Sequence, residues 1–270
     1  MRRGSLSLFQ PMSRWNGWRF WLGVSALALA GAWCYITFDQ PVMSLMPADS
    51  SKWDNALWPH AFTLLGKAWL VIWLLFVWHL LANRRREVLT ALLALIVMAV
   101  TVNPLKVAVR RPRPYAVAKA ETGEPQKHRF ADRLSFPSGD TATIVSVAAS
   151  VAPAFSLPVK GLLLMVCAGV GLLRVTNMAH YPSDVLMGAT IGLLAARLAA
   201  RAVDRLDRSG HLRIPFERQL ALIGVVAVPL VMGFSEGLKD FLIFLRTYGA
   251  VVFCVVLAAK AMAWLEKSPE

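Results

Sequence analysis

Long apolar segments recur along the chain, and they constrain the fold more than any other feature. We predict eight membrane-spanning helices, at residues 20–38, 61–82, 88–105, 139–155, 160–178, 183–202, 217–234 and 241–264. Each is close to the roughly 20 apolar residues that cross a bilayer. A single segment in lipid satisfies its backbone by forming a helix. Charged residues make up only 17% of the chain, whereas about a quarter is usual in soluble proteins. The sequence therefore predicts an all-α, polytopic transmembrane bundle.

The positions of the basic residues orient this predicted bundle. The net charge is +13, and most Arg and Lys lie in short segments beside apolar runs, beginning with Arg2, Arg3, Arg14 and Arg19. This distribution sets topology and predicts that both termini are cytoplasmic. It also argues against nucleic acid, the other usual partner of a basic chain. The basic loop 106–138 is an exception, because it falls outside. An anionic substrate would explain it, although long loops also escape the topology rule.

Three polar patches fall at the predicted outer ends of the middle spans. Their residues are Lys106 and Arg113; Ser138, Gly139 and Asp140; and Arg174, His180 and Asp184. Ionisable groups at the edge of a membrane are costly and by default mark function. Each short motif alone is an ordinary loop or helix-start feature. Because the predicted spans bring all three to one face, we expect a single site.

The residue types in these patches suit a phosphate group. Lys106, Arg113 and Arg174 supply positive charge, and arginine can clamp a phosphate with two parallel hydrogen bonds. The backbone N–H groups at the start of a helix after Ser138 form an anion site, and Gly139 lets phosphate approach closely. Ser138 is expected to cap this helix and to donate to the phosphate.

His180 is the candidate nucleophile, because a neutral imidazole can attack phosphorus and form a phosphohistidine. Asp184 follows four residues later and is expected to hold the imidazole in the reactive tautomer. Pro182 is predicted to begin the next helix, with Asp184 in its first turn.

Together these motifs resemble the type 2 phosphatidic acid phosphatase (PAP2) superfamily. Its pattern is Lys-x6-Arg-Pro, then Pro-Ser-Gly-His, then Ser-Arg-x5-His-x3-Asp. The resemblance covers 85–202, the catalytic core, and leaves N-terminal spans at 1–84 and C-terminal spans at 203–270 of one membrane domain. It implies a six-helix core followed by two C-terminal spans. It implies a phosphatase that needs no metal or other cofactor. It also implies that His180 attacks while Lys106, Arg113 and Arg174 bind phosphate.

Two positions depart from this pattern. Leu173 replaces a serine, and Asp140 replaces the histidine that protonates the leaving group. Three interpretations stay open. Burial could raise the pKa of Asp140 so that it acts as the acid; the leaving group could be a phosphate that needs no acid; or the protein could be a weakened or repurposed member. The lost positive charge could be replaced by nearby loop cations, namely Arg110, Arg111, Arg129 and His128.

We therefore expect a lipid phosphatase of the bacterial inner membrane, with its active site facing the periplasm. Its substrates would be membrane lipids carrying a phosphate or diphosphate, such as undecaprenyl diphosphate, phosphatidylglycerophosphate or phosphatidate. Two alternatives remain: a phosphotransferase acting on lipid A, and a non-catalytic protein that binds or transports lipid phosphates. The sequence makes no prediction of oligomeric state.

Overall fold

The computed structural model describes residues 17–46, 62–121 and 134–209, together with 220, 221, 223–225 and 227. Within the first three ranges we number eight α-helices: α1 (Trp18–Thr37), α2 (Asp39–Ser44), α3 (Ala68–Ala82), α4 (Arg85–Val109), α5 (Pro114–Glu121), α6 (Gly139–Val151), α7 (Leu157–Thr176) and α8 (Pro182–Arg208). The predicted span 241–264 lies outside the described residues, as does most of 217–234.

Four of these helices are long and apolar enough to cross a membrane, namely α1, α4, α7 and α8. They correspond to the predicted spans 20–38, 88–105, 160–178 and 183–202. Large apolar side chains on their outer faces are exposed, including Leu29 of α1 and Leu164 of α7. Apolar surface of this extent is typical of a lipid-facing protein. The prediction of an all-helical membrane protein is confirmed to this extent.

Two other predicted spans differ in length from the helices observed. The segment 61–82 is interrupted by a turn at 65–67, and α3 has only 15 residues. The segment 139–155 contains α6, whose 13 residues extend about 20 Å. That is shorter than the roughly 30 Å hydrocarbon core. The α-helical pattern of α6 ends at Val151 because Pro153 has no N–H to donate to the preceding turn.

The short helix α6 forms the centre of the bundle. Ten of its 13 residues are buried, and it packs mainly between α4 and α8. Its buried hydroxyls are satisfied within the helix, since Ser146 donates to the Thr143 carbonyl at 2.9 Å and Ser150 to the Ser146 carbonyl at 2.7 Å. A polar helix can therefore be enclosed by apolar neighbours at little cost.

Glycines allow α8 to lie directly against α6. A Cβ at Gly188 would come within 2.4 Å of the Ser138 carbonyl oxygen, and one at Gly192 within 2.7 Å of the Ala142 carbonyl oxygen. The backbone N–H of Ser138 also donates to the Asp184 carbonyl at 3.0 Å. This contact brings the start of α8 beside the start of α6, where two of the polar patches lie.

Candidate functional site

Backbone hydrogen bonds join the first two polar patches. Helix α4 ends at Arg110, whose left-handed conformation (φ 53°) turns the chain. The chain then runs antiparallel to the segment before α6, with a bridge between Pro112 and Leu134. Ser135 donates its N–H to the Arg111 carbonyl at 2.8 Å. The loop that carries Arg113 is thereby fixed beside residues 134–135.

The third patch is folded by the end of α7. The backbone N–H groups of Ala179 and His180 both donate to the Arg174 carbonyl, at 3.1 and 3.0 Å. This local turn explains why five residues separate arginine and histidine, since the spacing brings the chain back over Arg174. Tyr115 of α5 donates its N–H to the Met178 carbonyl at 3.0 Å, which joins this loop to the first patch.

The cationic side chains converge on the segment before α6. Lys106 Nζ and Arg113 Nε each lie 3.3 Å from the Leu134 carbonyl oxygen. Arg174 is buried, and its Nη2 lies 2.8 Å from Asp140 Oδ2. The Nε of Arg174 has no hydrogen-bond acceptor among the described residues. Buried donors are normally satisfied, so this guanidinium is suited to an anion.

His180 is buried, with one ring nitrogen fixed by the backbone. Its Nδ1 lies 2.7 Å from the Ser135 carbonyl oxygen. A carbonyl only accepts, so Nδ1 carries the proton and Nε2 of the neutral ring is the basic nitrogen. Burial lowers the pKa of His180 to about 4; Arg113 and Lys106 act in the same direction and Asp184 in the opposite one. The ring is therefore neutral at physiological pH.

Asp184 differs from the role expected for it. Pro182 begins α8 and places Asp184 in its first turn, as predicted. However, Asp184 Oδ2 is 3.7 Å from His180 Nδ1 and instead accepts from the Tyr181 N–H at 2.9 Å. Its Oδ1 accepts from Arg111 Nη1 at 2.8 Å. The Ser135 carbonyl thus holds the tautomer, and Asp184 contributes a buried charge beside the ring.

Ser138 and Gly139 begin α6, and Ser138 caps this helix as predicted. Ser138 is the N-cap, because its Oγ accepts from the Thr141 N–H at 3.4 Å. The same Oγ lies 2.9 Å from Thr141 Oγ1, and the side chain is fully buried. Its hydroxyl therefore belongs to the helix start. A Cβ at Gly139 would meet only Val102, at 3.8 Å, so packing alone does not demand glycine there.

Asp140 lies between two cations. Its Oδ2 is 2.8 Å from Arg174 Nη2 and 3.7 Å from Lys67 Nζ. These contacts suit an ionised carboxylate that accepts, and they oppose the interpretation of Asp140 as a protonated acid. Lys67 was not predicted, because it lies before α3 and far from the three motifs along the chain.

A second buried network lies behind His180 and was also missed. Asp39, at the start of α2, is 1% exposed. It accepts from Arg111 Nη2 at 2.7 Å and from the Ser183 N–H at 3.0 Å, and its Oδ2 lies 2.5 Å from Ser183 Oγ. The Arg111 guanidinium also stacks 3.6 Å from the centre of the Tyr181 ring. In the sequence, the one sign that Asp39 belongs to a functional network is its position at the end of an apolar run.

The idea that Arg111 is a loop cation facing the substrate was therefore wrong, because Arg111 is paired with Asp39 and Asp184. Arg110 is exposed and donates to the Val107 carbonyl at 3.1 Å. Arg129 and His128 lie outside the described residues.

A bundle of membrane-length helices thus presents a neutral imidazole and three cations around one buried backbone segment. Residues 87–208 match the family model of the PAP2 superfamily. The chain is also similar to LpxE of Aquifex aeolicus, whose crystal structure is known. That match has 27% identity and a TM-score of 0.44, and it covers 52% of this chain and 81% of that one. No curated protein is significantly similar in sequence.

Proposed function

We propose that this protein removes phosphate from a lipid phosphate or lipid diphosphate through a phosphohistidine at His180. One observation carries the proposal. The Ser135 carbonyl fixes Nδ1 of His180, and the adjacent Leu134 carbonyl receives both Lys106 and Arg113. The nucleophilic Nε2 and the cations that bind phosphate therefore belong to one rigid unit.

The substrate phosphate would bind between these cations and the start of α6. Arg174 offers Nε, which has no acceptor within the described part of the chain. Lys106 and Arg113 would turn from the Leu134 carbonyl toward the phosphate oxygens. The first N–H groups of α6 lack partners within the helix and favour an anion. These donors would stabilise the charge that spreads over the phosphoryl oxygens in the transition state.

The first chemical step uses groups that the chain and the solvent supply. His180 Nε2 attacks phosphorus, so a P–N bond forms and the P–O bond to the leaving group breaks. The electron pair of that bond stays on the leaving oxygen, which departs as a phosphate anion from a diphosphate and takes a proton from water when it departs from a monophosphate. The Nδ1 proton stays on the ring and is shared with the Ser135 carbonyl, while the charge of Asp184 stabilises the cationic phosphoimidazole.

Water completes the reaction. Its oxygen attacks the phosphohistidine, a P–O bond forms and the P–N bond breaks. The electron pair of the P–N bond returns to Nε2, and the water proton passes to solvent. An acceptor lipid in place of water would make the protein a phosphotransferase, and the test below separates these outcomes.

An apolar cavity of about 410 Å³ offers a place for a lipid tail. It lies between α1, α6, α7 and α8, and its walls include Val145, Leu163 and Val185. Thr141 lines one end and contacts the cap Ser138, so the cavity begins beside the candidate site. A tail entering sideways would leave the headgroup at the cations. We further propose that this end of the bundle faces the periplasm of a bacterial inner membrane.

The test is phosphate release by the purified full-length protein in lipid nanodiscs. Phosphatidate, phosphatidylglycerophosphate and undecaprenyl diphosphate would be assayed with wild type, His180→Ala and His79→Gln. Loss of a covalent nucleophile typically lowers kcat by a factor of about 10⁴ or more. We therefore expect His180→Ala to be inactive. His79 lies in α3, so His79→Gln should keep wild-type activity and serves as the matched control.

Two results would contradict the proposal. Comparable turnover by wild type and His180→Ala would exclude a histidine nucleophile. Tight binding of all three lipids without phosphate release would indicate a binding or transport protein. Phosphate release that requires lipid A, with the phosphate found on that lipid, would assign the phosphotransferase alternative.

A further inference from the structure

Lys67 approaches the site from a part of the chain that the family match does not include. Its Nζ lies 3.7 Å from the same Asp140 oxygen that contacts Arg174. The Lys67 side chain is 38% exposed and that of Asp140 is 23% exposed. The pair is therefore open enough to receive a ligand. The matched segment begins only at residue 87.

Close packing holds the Lys67 backbone against Asp140. A Cβ on the preceding Gly66 would lie 2.8 Å from Asp140 Cβ and 3.3 Å from its Cα. The turn is also fixed on its own side, because Lys67 donates its N–H to the carbonyl of the fully buried Leu64 at 2.9 Å. Lys67 then begins α3 as its N-cap. The position of the ammonium beside Asp140 is thus built into the fold.

Arg174 connects the His180 loop to Lys67. Its backbone carbonyl accepts from the backbone N–H of His180 at 3.0 Å, and its guanidinium contacts Asp140 beside Lys67. In phosphoryl transfer the nucleophile and the leaving oxygen lie roughly in line on either side of phosphorus. A phosphate bound by the Arg174 guanidinium would lie beside Lys67, which could then bind the leaving oxygen as His180 attacks from the other side.

The chemistry of this position differs from that of an imidazole. An alkoxide leaving group needs a proton as it departs, which a histidine can supply. Asp140 is ion-paired with Arg174 and Lys67, and these cations favour its ionised form, which is not a proton donor. A phosphate departs as an anion, and a fixed ammonium stabilises the charge that develops on it.

We infer that Lys67, held by Asp140 beside Arg174, forms a subsite for an anionic leaving group, so that the protein prefers lipid diphosphates to lipid monophosphates. This inference rests on the proposed phosphatase function. In the reaction, His180 Nε2 bonds to the terminal phosphorus and the bond to the bridging oxygen breaks. The electron pair stays on that oxygen, and Lys67 binds the lipid monophosphate that leaves.

The experiment compares two substrates with one tail, farnesyl diphosphate and farnesyl monophosphate, using the full-length protein in nanodiscs. The variants are Lys67→Met, Lys67→Arg and Arg205→Met. Arg205 is exposed near the end of α8 and lies about 31 Å along the helix from Asp184, so its variant is the charge-matched control. Each variant is assayed on both substrates, and kcat/KM is compared.

Losing a hydrogen bond to a charged group costs a factor of roughly 10 to 100. We expect Lys67→Met to lower kcat/KM by that factor for the diphosphate and by less than about threefold for the monophosphate. Lys67→Arg should keep most of the diphosphate activity, and Arg205→Met should match wild type. Retained monophosphate turnover also shows that Lys67→Met is folded.

The outcomes separate this inference from the function on which it rests. An equal loss on both substrates, or a larger loss on the monophosphate, overturns the subsite. Wild-type protein that hydrolyses only the monophosphate overturns the subsite and leaves the phosphatase standing. Wild-type protein that is inactive on both, while also inactive on the other lipids, overturns the proposed function and this inference together.

Discussion

His180 is buried, and its Nδ1 has a backbone carbonyl as its hydrogen-bond partner. Such burial penalises the charged ring, so the pKa lies near 4 rather than at its usual value near 6.5. The neutral form is the nucleophile, and it persists at every pH above that value. Acidification therefore removes activity only as the pH falls through about 4.

This property predicts an unusual pH profile. The kcat/KM of the wild-type protein should stay level from about pH 8 to pH 5 and fall below it, because kcat/KM reports the ionisations of the free enzyme. The measurement is kcat/KM over that range, with His79→Gln as control. Because a substrate phosphate also titrates near pH 6, the pKa of His180 would be measured directly by NMR, and a value near 6.5 would contradict the burial of the ring.

Some site residues could be predicted from the sequence and others could not. Lys106, Arg113, Arg174 and His180 stand at spacings that turns and helix ends explain, so their grouping follows from topology. The Ser135 carbonyl carries no side-chain signature, because every residue has one. Lys67 and Asp39 reach the site through tertiary packing, which depends on how helices separated along the chain meet.

At the scale of elements, the contact between α6 and α8 positions the site. Asp184 lies one turn before Gly188, where α8 touches the start of α6. A methyl group at Gly188 would meet the Ser138 carbonyl at 2.4 Å, and backbone cannot move aside easily. The N-cap of α6 and the first turn of α8 would then separate.

We predict that Gly188→Ala lowers the thermal stability of the protein and its activity together. Overpacking of this kind typically costs about 1–3 kcal/mol of unfolding free energy. Gly161→Ala in α7 is the control, because a Cβ there meets nothing within 4 Å. Melting in nanodiscs, followed by the phosphatase assay, makes the comparison. Equal Tm values for the two variants would argue against close packing of α6 and α8.

Helix α2 holds the back of the site through Asp39, which pairs with Arg111 and caps the start of α8 at Ser183. We predict that Asp39→Asn lowers kcat by roughly 10- to 100-fold with little change in KM. The reason is that the variant weakens the charged hydrogen bond that positions Arg111 and the start of α8. Asp39→Glu should restore part of the rate. Asp207→Asn, exposed near the end of α8, is the control.

A rise in KM without a fall in kcat would place Asp39 in substrate binding instead. Unchanged kinetics would remove it from the account of the site.

The sequence predicts the bounds of some helices well and those of others poorly. Spans with uniform apolar character, such as 88–105 and 160–178, correspond to α4 and α7 within a few residues. The predicted span 139–155 is longer than α6, because the apolar and small residues around Pro153 continue the apolar run past the end of the helix. The hydroxyl-rich sequence of α6 is typical of a helix enclosed by protein. Its burial depends on contacts with α4 and α8, which the periodicity of the sequence does not identify.

At the scale of the whole molecule, the candidate site lies at the ends of four helices, α4, α6, α7 and α8. Both α4 and α8 are long enough to carry their opposite ends across the bilayer. The paired Arg86 and Asp204 mark that opposite end. Since positive charge collects on the cytoplasmic side, the site is expected to face outward.

This topology predicts a difference in labelling. In a background lacking Cys34, Cys167 and Cys254, Lys119→Cys on α5 should react with an impermeant maleimide in intact cells. Arg208→Cys at the end of α8 should react only after the membrane is opened. Both side chains are exposed, so access to the reagent depends on the side of the membrane. The reverse pattern would place the site in the cytoplasm and contradict the orientation.

The most direct measurement is the position of phosphate on the imidazole of a trapped reaction intermediate. Wild-type protein would be quenched during turnover at alkaline pH, and the modified peptide would be analysed by mass spectrometry and phosphorus NMR. We expect phosphate on Nε2 of His180, because Nδ1 is hydrogen-bonded to the Ser135 carbonyl. Phosphate on Nδ1, or on no residue while turnover proceeds, would contradict it.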